Sequence, residues 1–119
     1  MMPGAFLLTF LAAAPQASHA APVPHARAVE IYTSMCQICH GPEGKGTPLI
    51  KGLEFTGRKW KHGSGQADVI KTITNGIPST QMHPFKDRLT PQDIAALAAL
   101  VRSYDTALKP GPAGRGTSR

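Results

Sequence analysis

Cys36, Cys39 and His40 are the residues whose types and spacing could do chemistry, in the stretch Cys36-Gln37-Ile38-Cys39-His40. Two cysteines could form one disulfide, but a separation of three residues favours a redox, metal or haem role. Both thiols can react with the two vinyl groups of a haem, and the histidine that follows is then held beneath the iron as an axial ligand. The five residues match the pattern for attachment of a c-type haem.

The composition sets the size of the structure that must position these residues. A chain of 119 residues, with 41% hydrophobic and 17% charged residues, indicates one ordinary globular domain. Lys and Arg outnumber Asp and Glu by 13 to 7, a balance that suits nucleic acid, an anionic membrane surface or an acidic protein partner. No arginine cluster or RNA-binding motif is present and aromatic residues are few, so nucleic acid is the weakest of these partners.

The first 20 residues are predicted to be a secretory signal peptide. An apolar run covers residues 5–14, and Ser18-His19-Ala20 is a small-residue end that permits cleavage. The usual Lys or Arg near Met1 is missing. The alternative is an uncleaved anchor, but a spanning helix needs about 20 apolar residues, and Pro15 and Gln16 interrupt the run. Residues 21–26 are predicted to be a short irregular leader, and no membrane span is expected after cleavage.

Three segments have apolar residues at helical spacing and predict the main helices: residues 27–35, residues 66–74 and a last helix that starts at Thr90 and Pro91. Their apolar faces would comprise Ala28, Ile31, Tyr32 and Met35; Val69, Ile70 and Ile73; and Ile94, Leu97, Val101 and Tyr104. We expect the last helix to cross the first near Ala28. Residues 106–119 are rich in Gly, Pro and Arg, which predicts a disordered basic tail.

With these features the chain resembles the small bacterial class I cytochromes c over residues 27–105. Besides the haem-attachment stretch, the resemblance rests on Met82, which stands after Asn75-Gly76-Ile77-Pro78 and before Pro84-Phe85. It implies an all-α cytochrome c fold, with about three main helices and long loops wrapped around one haem c. The haem would be covalently attached through Cys36 and Cys39.

The same resemblance assigns further residues to the haem. Met82 would be the second axial ligand beside His40, although His83 stands where relatives usually have proline and could compete for the iron. Pro48 matches the residue whose carbonyl accepts the ring N–H of the axial histidine. Trp60 matches an aromatic that donates to a haem propionate; core packing is an equally favoured role, and one tryptophan can fill both.

The function implied is that of a periplasmic one-electron carrier, because an iron with two axial ligands has no position open for a substrate. Its partners would be redox proteins with an acidic docking face, steered by Lys45, Lys51, Lys61 and Lys86, and the protein would be a monomer or enter transient complexes. The alternative is a dedicated cytochrome subunit of a periplasmic dehydrogenase or oxidase. A haem enzyme or gas sensor, and a Cys-x-x-Cys thiol oxidoreductase, are further alternatives. The thiol enzyme would need a thioredoxin-like βαβ pattern, which the sequence lacks.

Overall fold

The computed structural model describes residues 21–57 and 60–108, and the regular structure of these residues is entirely helical. The helices are α1 (His25–Met35), α2 (Gln37–His40), α3 (Gln66–Asn75) and α4 (Pro91–Ser103), with a 3-10 turn at Pro42–Gly44. The predicted all-α fold with three main helices is therefore confirmed, and α2 is a short addition to it. The predicted signal peptide and residues 109–119 of the predicted tail lie outside the described residues.

Helix α1 begins inside the segment that was expected to be an irregular leader. Pro24 has an extended backbone and is the residue before the first helical one, so the helix starts at His25 rather than Arg27. Ala28, Ile31 and Tyr32 are buried, as the apolar spacing predicts. The exposed positions between them leave one face of α1 for the core.

Helix α4 has the predicted start. The Thr90 hydroxyl accepts a hydrogen bond from the Asp93 backbone N–H at 3.1 Å, and the Asp93 carboxylate accepts from the Thr90 N–H at 3.4 Å. This reciprocal arrangement pairs two N–H groups that a helix start leaves without partners, and Pro91 at the first position has no N–H to pair. The helix then buries Ile94, Leu97, Ala98, Leu100 and Val101.

The core lies where α4 packs against both α1 and α3. Arg27 reaches the Asp93 carboxylate at 3.6 Å near one end of α4, and Tyr32 meets the ring of Tyr104 at the other end. Ala28 stands between these two α1 residues and is 1% exposed, which fits the predicted close crossing. On the other side, the Gln66 side-chain amide donates to the Ala95 carbonyl at 2.9 Å and ties α3 to α4. In the described part of the chain, no helix has both the length and the apolar character to cross a membrane.

Candidate haem site

The cysteine–histidine stretch continues from the end of α1 as one helical turn. The Cys36 N–H donates to the Tyr32 carbonyl at 2.9 Å, and the His40 N–H donates to the Cys36 carbonyl at 3.0 Å. Residues three and four apart share a face of such a turn, so Cys36 lies on the same face as Cys39 and His40. Ile38 is 81% exposed. The turn thus places both thiols and the imidazole where one flat group could meet all three.

The two cysteines are free thiols, each half-buried. Burial raises the pKa of the Cys36 thiol to about 11, and the neighbouring Cys39 adds to the increase. Thiol–disulfide exchange needs a thiolate, which reactive cysteines obtain from a lowered pKa. The direction of the Cys36 shift therefore gives no sign of an activated thiol at that position.

The His40 ring is oriented by a different carbonyl from the predicted one. Its Nδ1 lies 2.8 Å from the backbone oxygen of Leu53, so the assignment of Pro48 to this bond is wrong in the structure. The course of the loop explains why Leu53 takes the place of Pro48. The Phe55 N–H donates to the Gly44 carbonyl at 2.7 Å, so the chain comes back to the histidine near Leu53. Pro48 is exposed. A carbonyl only accepts, so Nδ1 is the protonated nitrogen and Nε2 has the lone pair that can bind a metal.

The turn after His40 depends on glycine. Gly41 has φ 77°, and a Cβ at this position would collide with the Gly46 carbonyl. The Gly46 N–H donates to the His40 carbonyl at 2.8 Å, which closes the turn. From α1, the buried Tyr32 hydroxyl donates to the Gly41 carbonyl at 2.7 Å. Burial raises the pKa of Tyr32 above its ordinary value, so this hydroxyl keeps the proton that it donates.

We expect Tyr32→Phe to destabilise the protein by about 1 kcal/mol, the net contribution of one buried hydrogen bond. The loss should stay modest because the Gly41 carbonyl also accepts from the Gly44 N–H at 3.2 Å. Urea unfolding of the haem-loaded protein measures the change. Tyr104→Phe is the matched control, since it keeps the ring that packs edge-on against Tyr32 at 5.1 Å. Equal losses in the two variants would show that the Tyr32 hydroxyl has no special role.

The indole N–H of Trp60 is hydrogen-bonded to another side chain of the protein. Nε1 donates to Asp105 Oδ2 at 2.9 Å, and the half-buried ring packs against the core. Of the two predicted roles, core packing is the one that the structure shows, and the N–H that would serve a propionate is already bonded to a carboxylate. The sequence interpretation missed Phe55, whose ring stacks between those of His40 and Trp60.

Met82 lies on a loop that is stabilised by hydrogen bonds within the loop. The Ile77 N–H donates to the Met82 carbonyl at 2.9 Å, and the Met82 N–H donates to the Thr80 hydroxyl at 3.1 Å. Gly76 has φ 66°, and a Cβ there would stand 2.5 Å from the Met82 carbonyl oxygen, so only glycine fits. The Met82 side chain is half-buried against the core, whereas His83 is exposed.

The side chains present suit a covalently attached haem better than a bare metal ion. Within residues 21–57 and 60–108, no three His, Cys, Asp or Glu side chains converge as a metal site. Two free thiols, one oriented imidazole and one thioether are the groups that a c-type haem uses. Leu49 is 93% and Ile50 41% exposed on the loop after the histidine, apolar surface that a large flat ring could cover.

Comparison with known proteins agrees with this donor set. The protein-family model described as "Cytochrome C oxidase, cbb3-type, subunit III" matches residues 24–101. The cbb3-type cytochrome c oxidase subunit FixP of Bradyrhizobium sp. (strain ORS 278) is 37% identical over 78 residues, and that of Azorhizobium caulinodans is 34% identical over 77. These matches cover 66% and 65% of the chain but 27% and 26% of the relatives, so the chain spans about a quarter of their length.

Two thirds of this chain also matches nearly the whole length of two solved cytochromes. The KustC0563 c-type cytochrome is 32% identical with a TM-score of 0.57, and the match covers 66% of this chain and 98% of that one. Cytochrome c6 from the diatom Phaeodactylum tricornutum has a TM-score of 0.54 at 22% identity, over 66% of this chain and 91% of that one, and shows the shared fold alone. Because the family match includes most of the helical domain and the haem-attachment stretch, the chain belongs to the c-type cytochromes and carries a covalently bound haem c.

Proposed function

We propose that this chain is the electron-carrying cytochrome of a larger redox complex, of the kind formed by a cbb3-type terminal oxidase. The single observation that carries the proposal is the match of residues 24–101 to the subunit III family, with FixP among the relatives. This proposal adopts the dedicated-subunit alternative in place of the freely diffusing carrier, which would be a monomer or enter only transient complexes. The chain itself carries electrons and does not transform a substrate.

His40 and Met82 would supply the two axial ligands, and Cys36 and Cys39 the two thioether links. The haem held by these residues would take up one electron from a donor as ferric iron becomes ferrous, and would give it to an acceptor in the reverse change. A thioether is a soft ligand that favours ferrous iron, so Met82 would raise the reduction potential. The Leu53 carbonyl, by accepting from Nδ1, would fix the imidazole and make it a better ligand.

The basic surface suits docking to an acidic redox partner. Lys51, Lys61 and Lys86 are exposed. Lys45 is also exposed, but its ammonium lies 2.9 Å from the Glu43 carboxylate, so part of its charge is balanced locally. Long-range attraction of this kind speeds association more than it strengthens a complex.

The proposal is tested by asking whether the protein migrates with the oxidase when it is isolated from its native host. Membranes solubilised in mild detergent and separated on a native gel should show the haem-stained tagged protein in the band that has oxidase activity. Met82→Ala should stay in that band while electron delivery to the oxidase falls, since docking does not need the ligand. Recovery of all the haem protein from the soluble periplasmic fraction would instead support a free shuttle. The match to 98% of the KustC0563 c-type cytochrome shows that such a domain can make up almost a whole chain, as the second candidate requires.

We also propose that the domain is exported and functions in the periplasm, because haem attachment and the apolar run of residues 5–14 both fit a secreted chain. Intact-mass measurement of the purified protein should show the loss of residues 1–20 and the gain of one haem. A haem-loaded chain that retains residues 1–20 in the membrane would favour the anchor interpretation.

A further inference from the structure

Three rings form a continuous stack that begins at the proposed axial histidine. The imidazole of His40 and the ring of Phe55 have centroids 4.6 Å apart and planes 19° apart. Phe55 in turn stacks on Trp60, with centroids 5.3 Å apart and planes 18° apart. Near-parallel rings at these separations are in the range of favourable stacking, so the orientation of each ring constrains the next.

A buried carboxylate holds the far end of this stack. Asp105 follows the end of α4 and is 5% exposed. Its Oδ2 accepts the Trp60 indole N–H at 2.9 Å, and its Oδ1 accepts the Ala107 backbone N–H at 3.1 Å. A buried carboxylate must be hydrogen-bonded to be tolerated, so both bonds hold Asp105 and Trp60 in one arrangement. The electron-carrying mechanism does not use this carboxylate.

The residue beside Asp105 braces the same loop from the other direction. The Tyr104 ring packs edge-on against Tyr32, whose hydroxyl holds the carbonyl of Gly41 directly after the histidine. At Gly44 a Cβ would stand 2.6 Å from Phe55 Cδ2 and 3.2 Å from Tyr104 Cδ2, so these rings and the loop are tightly packed. The end of α4 therefore reaches the surroundings of His40 through two separate sets of contacts.

We propose that Asp105 is a positioning residue for His40 that acts through the ring stack of Trp60 and Phe55. By fixing the indole, Asp105 fixes the Phe55 ring against one face of the imidazole. The packed Phe55 ring then limits rotation of the His40 imidazole about its Cβ–Cγ bond. The hydrogen bond from His40 Nδ1 to the Leu53 carbonyl restrains the edge of the imidazole, and the stacked Phe55 ring restrains its face. This inference rests on the proposed role of His40 as an axial ligand.

The test compares four variants of the haem-loaded protein with the wild type by electron paramagnetic resonance of the ferric state. The g-values of a low-spin ferric haem depend on the orientation of the axial imidazole plane. Asp105→Ala leaves the indole without its acceptor, and Trp60→Phe removes the indole together with the bond, so both should shift the largest g-value in the same direction. The double variant should shift no further than either single one, since both act through one contact. Asp105→Asn keeps one oxygen that can accept the indole N–H but places an NH2 group against the Ala107 N–H, so it should shift the largest g-value less than Asp105→Ala does.

Asp93→Ala is the matched control, because Asp93 is a second buried carboxylate associated with α4 and lies at the other end of the helix. It should lower the unfolding temperature and leave the g-values unchanged. A g-shift in Asp93→Ala as large as that in Asp105→Ala would overturn the proposal, as would equal shifts in the Asn and Ala variants of Asp105. Unchanged g-values in both Asp105→Ala and Trp60→Phe would overturn it and leave the proposed function intact. A wild-type protein whose ferric iron shows no low-spin signal, and so lacks two strong axial ligands, would instead mean that the proposed function had failed.

Discussion

Met82→Ala should lower the reduction potential and abolish the weak charge-transfer band from sulfur to ferric iron at the red end of the visible spectrum. It should also let carbon monoxide bind the ferrous protein. The physical reason is that alanine offers no atom that can coordinate the metal, so the thioether that favours ferrous iron is lost. Axial ligands set haem potentials over roughly 0.8 V, and the change should be a sizeable part of that range. Potentiometric titration and visible spectra of the purified variant measure all three effects.

His83→Ala is the control for this prediction, and it also tests the departure from relatives that carry proline after the methionine. His83 is exposed and Met82 packs against the core, so His83→Ala should leave the potential, the band and the carbon monoxide response nearly unchanged. The opposite pattern, in which His83→Ala opens the iron and Met82→Ala does nothing, would show that the ligand is an imidazole. The wild-type potential would then be lower than we expect.

Replacing both Cys36 and Cys39 with serine should abolish covalent haem attachment and reduce the yield of folded protein severely. The domain has a small hydrophobic core, so the haem must contribute much of the buried surface and stabilise the native state by binding to it. Either single replacement should leave a product with one thioether or an unstable one. Haem staining after denaturing electrophoresis, together with circular dichroism, measures both outcomes.

Ile38→Ala is the matched control for the cysteine variants, because Ile38 lies between the two thiols and is 81% exposed. It should retain the haem through denaturation and fold as the wild type does. Extraction of all haem from wild-type protein by acidified acetone would contradict the attachment, as would normal haem staining of the double serine variant.

The features that the sequence predicted well depend on local patterns. The start of α4 at Thr90 and Pro91 follows from side chains that pair with backbone groups three residues away. The buried face of α1, with Ala28 and Tyr32, follows from helical spacing alone. The span of α3, predicted as residues 66–74 and observed as Gln66–Asn75, follows from the helical spacing of Val69 and Ile73. Each of these signals lies within one turn of the chain, so no tertiary information is needed to interpret it.

The features that the sequence did not predict depend on where a loop returns. His40 bonds to Leu53 rather than near Pro48 because several positive-φ glycines, Gly41 and Gly44 among them, set the course of the loop. The partner of the Trp60 indole, Asp105, is 45 residues away, and no spacing rule connects them. Phe55 lies in a segment without periodicity, and nothing in its neighbours indicates that it stacks on the histidine. Helix α1 starts at His25 because Pro24 sets the entry of the chain, which the irregular leader expected there did not allow for.

The central claim is that this chain transfers one electron at a time through a haem c held by its own residues. A potentiometric titration followed in the visible spectrum tests it most directly, because the number of electrons and the chromophore are read together. We predict one reversible transition that fits a single electron, with the absorption of a low-spin c-type haem in the reduced state. A two-electron transition without visible absorption would contradict the claim and indicate dithiol chemistry at Cys36 and Cys39.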